Sequence, residues 1–226
     1  MAQQFDPVLL RAVPVAPWAT PEDPGPLSGY DFTFWAVSQH DAALSGIAVM
    51  ECRRRFDEHL LDASGVKSYH DGRHRQIQAT IANLTLRRFE SLGPNDRRPQ
   101  PWEMFCDELI RIFSQGHQGY LVRRELIWRC SHGRHRSLGM AVAAAAVLRY
   151  FGATVRVLAH RDRLCSCDQC GVLHDPRPAE GFFLLVDLVM GAQLAASTSR
   201  LVNEGIDLTD EVRDFVEDLI ERADYA

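Results

Sequence analysis

The sequence predicts an α/β fold with a parallel or mixed sheet, and three observations carry that prediction. Glu125-Leu126-Ile127-Trp128-Arg129 is a short apolar run suited to a buried strand. Residues 137–151 hold one charged side chain, Arg149, and read as a largely buried helix that Gly152 stops. Thr154-Val155-Arg156-Val157-Leu158 is β-branched and alternating, which makes it a second strand. Strand, loop, helix and strand in that order are the βαβ crossover of a parallel sheet.

Between the first strand and the helix stands Cys130-Ser131-His132-Gly133-Arg134-His135-Arg136-Ser137. A loop in that place lies at the carboxyl end of a strand and the amino end of a helix, where unpaired backbone N–H groups and the helix dipole favour an anion. Arg134, Arg136 and Ser137 add charge and donors. The expected occupant is an oxyanion, with phosphate the leading candidate.

The remaining elements follow in chain order. Residues 1–29 hold six of the eleven prolines and no sustained periodicity, and read as a proline-rich arm or linker. Its Phe5, Val8, Leu9, Leu10 and Trp18 are apolar enough to dock on the domain or on a neighbouring subunit. Tyr30 to Trp35 is aromatic and β-prone, and Ile47-Ala48-Val49-Met50 is another strand ending at Glu51-Cys52-Arg53, the polar end where an α/β sheet presents functional side chains. Ile77, Ile81, Leu84 and either Leu86 or Phe89 predict a helix over 76–89, and Pro101 opens a second one to Ser114 with Phe105, Leu109, Ile112 and Phe113 on its apolar face. The tail over 179–226 reads as two helices, one from about Gly181 into the 190s and one from Asp210 behind Thr209.

A chain of 226 residues that is 46% hydrophobic can bury a substantial core, so one domain over 30–226 with appendages is expected. The formal charge of -5 argues against wholesale nucleic-acid binding. Of the 25 basic residues one, Lys67, is lysine and the rest are arginine, the better residue for bidentate phosphate contacts, although genome base composition yields the same bias. No apolar run is long enough for a membrane span, and the amino terminus has no basic-then-apolar signal pattern. The six cysteines are unevenly spread, which points to thiol or metal roles in a reducing compartment and to a cytoplasmic protein.

Cys130, Gly133, His135, Arg136 and Ser137 resemble the Cys-x-Gly-Gly-x-His-Arg-Ser loop in the carboxyl-terminal domain of the RapZ family. Glu51-x-Arg53 looks like that family's Asp-x-Arg, Leu61 to Gly65 like its Leu-x-x-Thr-Gly turn, and His160-Arg161-Asp162 like its His-Arg-Asp ending. Their order and approximate spacing agree over about residues 30–163. The resemblance implies an α/β domain that binds phosphorylated small molecules, an aminosugar phosphate being the known class. It also implies small regulatory RNAs and a ribonuclease as partners, and oligomers formed through this domain. The ligand pocket it implies is the loop from Cys130 to Ser137 with Glu51, Arg53, His160 and Arg161 closing it, and Asp162 orienting a neighbour. The family's nucleotide-binding half has no counterpart here, since no Gly-x-x-x-x-Gly-Lys-Ser/Thr occurs. His132 stands where the family has a glycine, and Glu51 reaches one methylene further than aspartate.

The same loop satisfies Cys-x5-Arg-Ser, the phosphate loop of cysteine-dependent phosphatases. Cys130 would attack phosphorus, Arg136 would hold equatorial oxygens and Ser137 would assist the leaving thiolate. Such an enzyme needs a general acid, and Asp96 is the candidate, there being no Trp-Pro-Asp. The bland alternative is a buried structural thiol.

Cys165-x-Cys167-x2-Cys170-x3-His174 predicts a structural zinc insert over 165–174, with His160 the alternative fourth ligand and an unliganded reduced loop the alternative reading. The pairs or triplets at Arg73-His74-Arg75, Arg87-Arg88, Arg97-Arg98 and Arg123-Arg124 form an RNA-facing surface only if the fold gathers them; scattered solvated arginines are the plainer reading. The leading function is therefore a phosphate- or phosphosugar-binding regulatory or adapter protein, with RNA and a second copy of the chain as further candidate partners. A cysteine phosphatase is the alternative.

Overall fold

The computed structural model describes residues 10–13, 27, 29–41, 47–52, 69–74, 76–78, 101–116, 124–171 and 193–206, and positions 210, 213, 214, 216 and 217. Arg53, Asp96 and His174, the turn at 61–65 and the helix expected over 76–89 beyond its first turn lie outside these residues.

Among them the strands are β1 (Leu10–Val13), β2 (Asp31–Ser38), β3 (Ala48–Glu51), β4 (Arg124–Cys130) and β5 (Thr154–His160). The sheet order is β1-β5-β2-β4-β3. β5, β2, β4 and β3 are mutually parallel, and β1 adds an antiparallel edge with Leu10 opposite His160. This is the expected α/β fold, and part of the amino-terminal arm docks on the domain as its edge strand. The helix between β4 and β5, α2 (Arg136–Tyr150), completes a crossover that spans β2. Leu27 is fully buried and its N–H donates to Phe151 O at 2.9 Å, so core packing begins slightly before residue 30.

Alternation sets which side chains form the core. Phe32, Phe34 and Ala36 of β2 are buried while Thr33 and Trp35 are half-buried, the period of two that a strand imposes. The helix α1 (Pro101–Gly116) begins at Pro101, whose missing N–H costs nothing in a first turn. Its Trp102 and Phe105 pack on that face: Phe105 meets Phe34 edge-on at 5.9 Å and lies 5.3 Å from Trp128, and Trp102 meets Trp128 at 6.0 Å. Such geometries are the favourable ones for aromatic pairs. Trp128→Ala should cost about 3–5 kcal/mol of stability, read as a lower urea midpoint at unchanged slope.

α2 is buried almost all round from Arg136 to Leu148 because four consecutive alanines, Ala143 to Ala146, let it lie close to its neighbours. It ends where expected: Gly152 takes φ +94°, and Ala153 N–H donates to Leu148 O at 3.0 Å. A short 3₁₀ turn (Arg161–Arg163) follows β5, then the one-turn α3 (Asp168–Gly171) in the cysteine-rich segment. In the tail, α4 (Leu194–Asn203) buries Leu194 and Leu201, and its Arg200 pairs with Asp107 and Glu103 of α1. Among the described residues no helix is long and apolar enough to cross a membrane.

Candidate functional site

The carboxyl ends of β2 and β4 stand level, with Ser38 opposite Cys130. Ser38 Oγ–H donates to Ser131 O at 3.2 Å and Gln39 N–H to Cys130 O at 2.9 Å, so the end of β2 anchors the start of the loop. The loop then turns through Gly133, whose φ of +68° suits glycine. A Cβ there would lie 2.7 Å from Ser38 N and 2.8 Å from the carbonyl carbon of Val37. The glycine is required both by its torsion and by the closeness of β2. α2 starts at Arg136 without a side-chain cap, so its first N–H groups are left to the loop.

Cys130 sits where those N–H groups converge. Gly133 N–H donates to its Sγ at 3.2 Å, and Ser137 Oγ lies 3.2 Å from the same sulfur. Burial pushes the thiol up, but hydrogen bonds from the Ser137 hydroxyl and from the backbone N–H groups of Ser137, His132 and Gly133 outweigh it and leave it below an ordinary cysteine. The other two core thiols behave oppositely. Burial raises Cys52 well above the ordinary range, with the charges of Cys130 and Glu51 adding to it. Cys106 is raised likewise by burial and by Asp107 and Glu103.

The residues expected around this loop are placed as follows. Ser131, Arg134 and His135 are half-buried, His132 is exposed, and Arg136 and Ser137 are buried. Glu51 ends β3 opposite Arg129, and its carboxylate takes that guanidinium. His160 ends β5 with Nδ1 3.7 Å from the Asp162 carboxylate, and Arg161 is exposed. Two contributors are illegible in the sequence. Arg163 binds Asp41 through both Nη atoms, at 2.6 and 2.7 Å, and its Nη1 lies over the α-carbon of Gly133.

Burial works to raise the Asp41 carboxyl, but the Arg163 hydrogen bonds, the Ser38 N–H at 2.6 Å and the Arg163 charge outweigh it and hold it below 3.8. A depressed folded-state value means stability that is present above the unfolded value and lost as pH falls through the folded one. Asp41→Asn should therefore cost about 2 kcal/mol at neutral pH, typical of hydrogen bonds to a charged group. That difference from wild type should shrink as urea titrations are carried below pH 3.8.

Beside the loop lies a second cluster. His70, Cys165, Cys167 and Cys170 bring one ligand atom each to within 4.8 Å of one another, and this set can hold a metal ion. His70 Nδ1 is 3.3 Å from Cys167 Sγ and 3.5 Å from Cys170 Sγ. The expected cysteines are thus brought together, and among the described residues the histidine beside them is His70, far upstream; the expected His174 lies outside those residues. Burial is the largest cause that pushes the Cys170 thiol up to about 12, so a cation would have to displace its proton. Asp71, fully buried, holds the two halves of this cluster together. Its carboxylate takes Arg73 Nη2 at 2.7 Å and Cys165 N–H at 2.7 Å. Arg73, read as part of a solvated arginine cluster, is turned inward by that pair and by a 2.6 Å bond to Cys165 O. Arg124, from another of those clusters, lies over the Tyr30 ring at 4.3 Å.

Fold and site together define an α/β protein with a hydrogen-bonded thiol in a strand-to-helix loop and, alongside it, a His/Cys₃ cluster that can hold a metal ion. Comparison of the chain with protein-family models, with curated proteins and with solved structures gives no match.

Proposed function

We propose that the chain is a phosphate- or phosphosugar-binding regulatory or adapter protein whose ligand sits on the loop from Cys130 to Ser137. The observation that carries this reading is the convergence of loop N–H groups and the Ser137 hydroxyl at Cys130, at the start of an uncapped helix. Groups arranged to stabilise a thiolate are equally suited to oxyanion oxygens, because both present negative charge to N–H donors. Arg134 and Arg136 supply the counter-charge, and the resemblance to the RapZ loop favours an aminosugar phosphate. On this reading Glu51, which ends β3 and also pairs with Arg129, and His160, which ends β5, would offer hydrogen bonds to ligand hydroxyls.

A second reading, a cysteine-dependent phosphatase, is favoured by the same sulfur, because the donors around it hold its thiol below an ordinary cysteine, as a nucleophile would need. In that reaction the Cys130 thiolate forms an S–P bond as the P–O bond to the leaving group breaks. A general acid protonates the leaving oxygen, and water then cleaves the S–P bond to give inorganic phosphate. The two readings part in one experiment: turnover of an aryl phosphate under reducing conditions, beside thermal protection by glucosamine 6-phosphate, for wild type, Cys130→Ser and Arg136→Ala. Protection without turnover, lost in Arg136→Ala, supports the binding protein. Turnover abolished by both substitutions replaces it with the phosphatase.

The ion assigned to the neighbouring cluster is Zn²⁺. Three thiolates and one imidazole are its preferred structural donors, and tetrahedral coordination at about 2.3 Å to sulfur and about 2.0–2.1 Å to nitrogen puts adjacent donors roughly 3.5–3.8 Å apart. The donor separations of 3.3 and 3.5 Å found here are close to that. The purified chain should carry one equivalent of zinc by elemental analysis, and Cys167→Ser should lose it. A reduced cytoplasmic setting suits such a site.

A further inference from the structure

His70 belongs to a strip, residues 69–74, that touches both the metal cluster and the loop. On one side the strip is joined to the cysteine segment, 97 residues from His70 to Cys167, through the donor set itself and through Asp71 and Arg73. On the other side it lies flush against the loop. His135 Nε2–H donates to His70 O at 3.0 Å, and Gly72 N–H donates to Arg134 O at 2.9 Å. Gly72 is packed so closely on His135 O and Gly139 N that no side chain would fit. The peptide units it meets, from Arg134 to Gly139, are the ones that turn the loop into α2.

We propose that the metal centre positions the loop: a cation at His70, Cys165, Cys167 and Cys170 fixes the strip 69–74 against residues 134–139 and so sets the orientation of the N–H groups around Cys130. His70 is then a metal ligand whose own carbonyl holds the loop, and His135 and Gly72 are positioning residues that transmit its placement. Without the cation, the His70 ring meets Cys167 and Cys170 through thiol hydrogen bonds, weaker than metal bonds, and stacks on His74 at 4.1 Å. Metal occupancy thereby governs whether the loop takes its anion, which rests on the phosphate-binding reading above.

The test uses the full chain with zinc bound, after zinc removal by a chelator, and after zinc is added back. Two quantities are read: the pH midpoint of Cys130 alkylation by iodoacetamide, followed on its own peptide by mass spectrometry, and the thermal protection given by inorganic phosphate. Zinc removal should raise the midpoint toward that of an ordinary thiol and slow alkylation at neutral pH by about tenfold, the change expected for one unit of pKa. It should abolish phosphate protection, and added zinc should restore both. His135→Leu should keep one equivalent of zinc yet raise the Cys130 midpoint in the metal-bound protein. This variant decides the matter if the metal-free chain unfolds. An unchanged midpoint in His135→Leu, or equal midpoints with and without zinc in folded protein, would overturn the proposal. If the zinc-bound wild type shows no phosphate protection, the phosphate reading fails, and the coupling fails as a control of anion binding. If protection is present and equal with and without zinc, the coupling alone fails.

Discussion

Gly72→Ala should be among the most damaging single-methyl additions in this chain. A Cβ at residue 72 would fall inside the contact distance of Gly139 N and His135 O, and both are backbone atoms of the loop and the first turn of α2. Neither can rotate away as a side chain would. The strip 69–74 must therefore lift from the helix, breaking the Gly72 N–H to Arg134 O bond and stretching the His135 to His70 O bond. Overpacking commonly costs about 1–3 kcal/mol, and a double backbone clash lies beyond that range. Urea denaturation should show a loss above about 3 kcal/mol. Gly133→Ala should be comparably harmful for two added reasons: alanine pays about 1–2 kcal/mol to take a left-handed backbone, and its methyl would press on Ser38 N and the Val37 carbonyl carbon. A near-neutral result for either would mean that the loop does not pack on its neighbours as described.

The second large effect concerns thiol chemistry. Under native conditions near pH 7, Cys130 should be alkylated with the pH profile of an acidic thiol, while Cys52 and Cys106 should stay unmodified until the protein unfolds. All three are buried, so access alone does not separate them. What separates them is the set of donors facing Cys130, against burial that dominates at Cys52 and Cys106. Ser137→Ala removes the hydroxyl at 3.2 Å and should move the Cys130 midpoint upward, slowing its reaction at neutral pH several-fold. The check is peptide-resolved mass spectrometry across a pH series. A Cys130 midpoint at or above that of free cysteine, or one indifferent to Ser137→Ala, would remove the case for an activated sulfur.

Much of the fold was legible because its signals are local. The apolar run before Cys130, the nearly uncharged stretch after Ser137 and the alternation from Thr154 each specify an element by composition and period, and the three lie in one stretch of chain. Strand ends were less legible: β2 runs three residues past Trp35, to Ser38, because β4 continues beside it to Cys130 while β5 pairs as far as Ala36. Pairing between strands, which no single segment encodes, sets that limit.

The candidate site divides in the same way. The cysteine-rich segment and the Cys130 to Ser137 loop announce themselves by spacing, since both are turns whose functional groups are neighbours in sequence. His70 does not, because its role depends on a strip brought across to the cysteines by Asp71 and Arg73, and nothing in Tyr69-His70-Asp71-Gly72 sets it apart from any polar turn. The local spacing offers His174 as a fourth donor, so nothing in the sequence asks for a distant histidine. Asp41 and Arg163, 122 residues apart, are equally invisible until the sheet sets the ends of β2 and β5 near each other.

By itself, then, the sequence determined the α/β class, the βαβ unit, the loop from Cys130 to Ser137 and the grouping of three cysteines, because each is written in the periodicity and spacing of consecutive residues. Only the tertiary structure decided the order β1-β5-β2-β4-β3, the inward turn of Arg73, the choice of His70 and the hydrogen bonds that make Cys130 unlike the other core thiols. The reason is that pairing, burial and hydrogen-bond geometry depend on groups far apart in the chain, and they exist only once packing has brought those groups within a few ångströms.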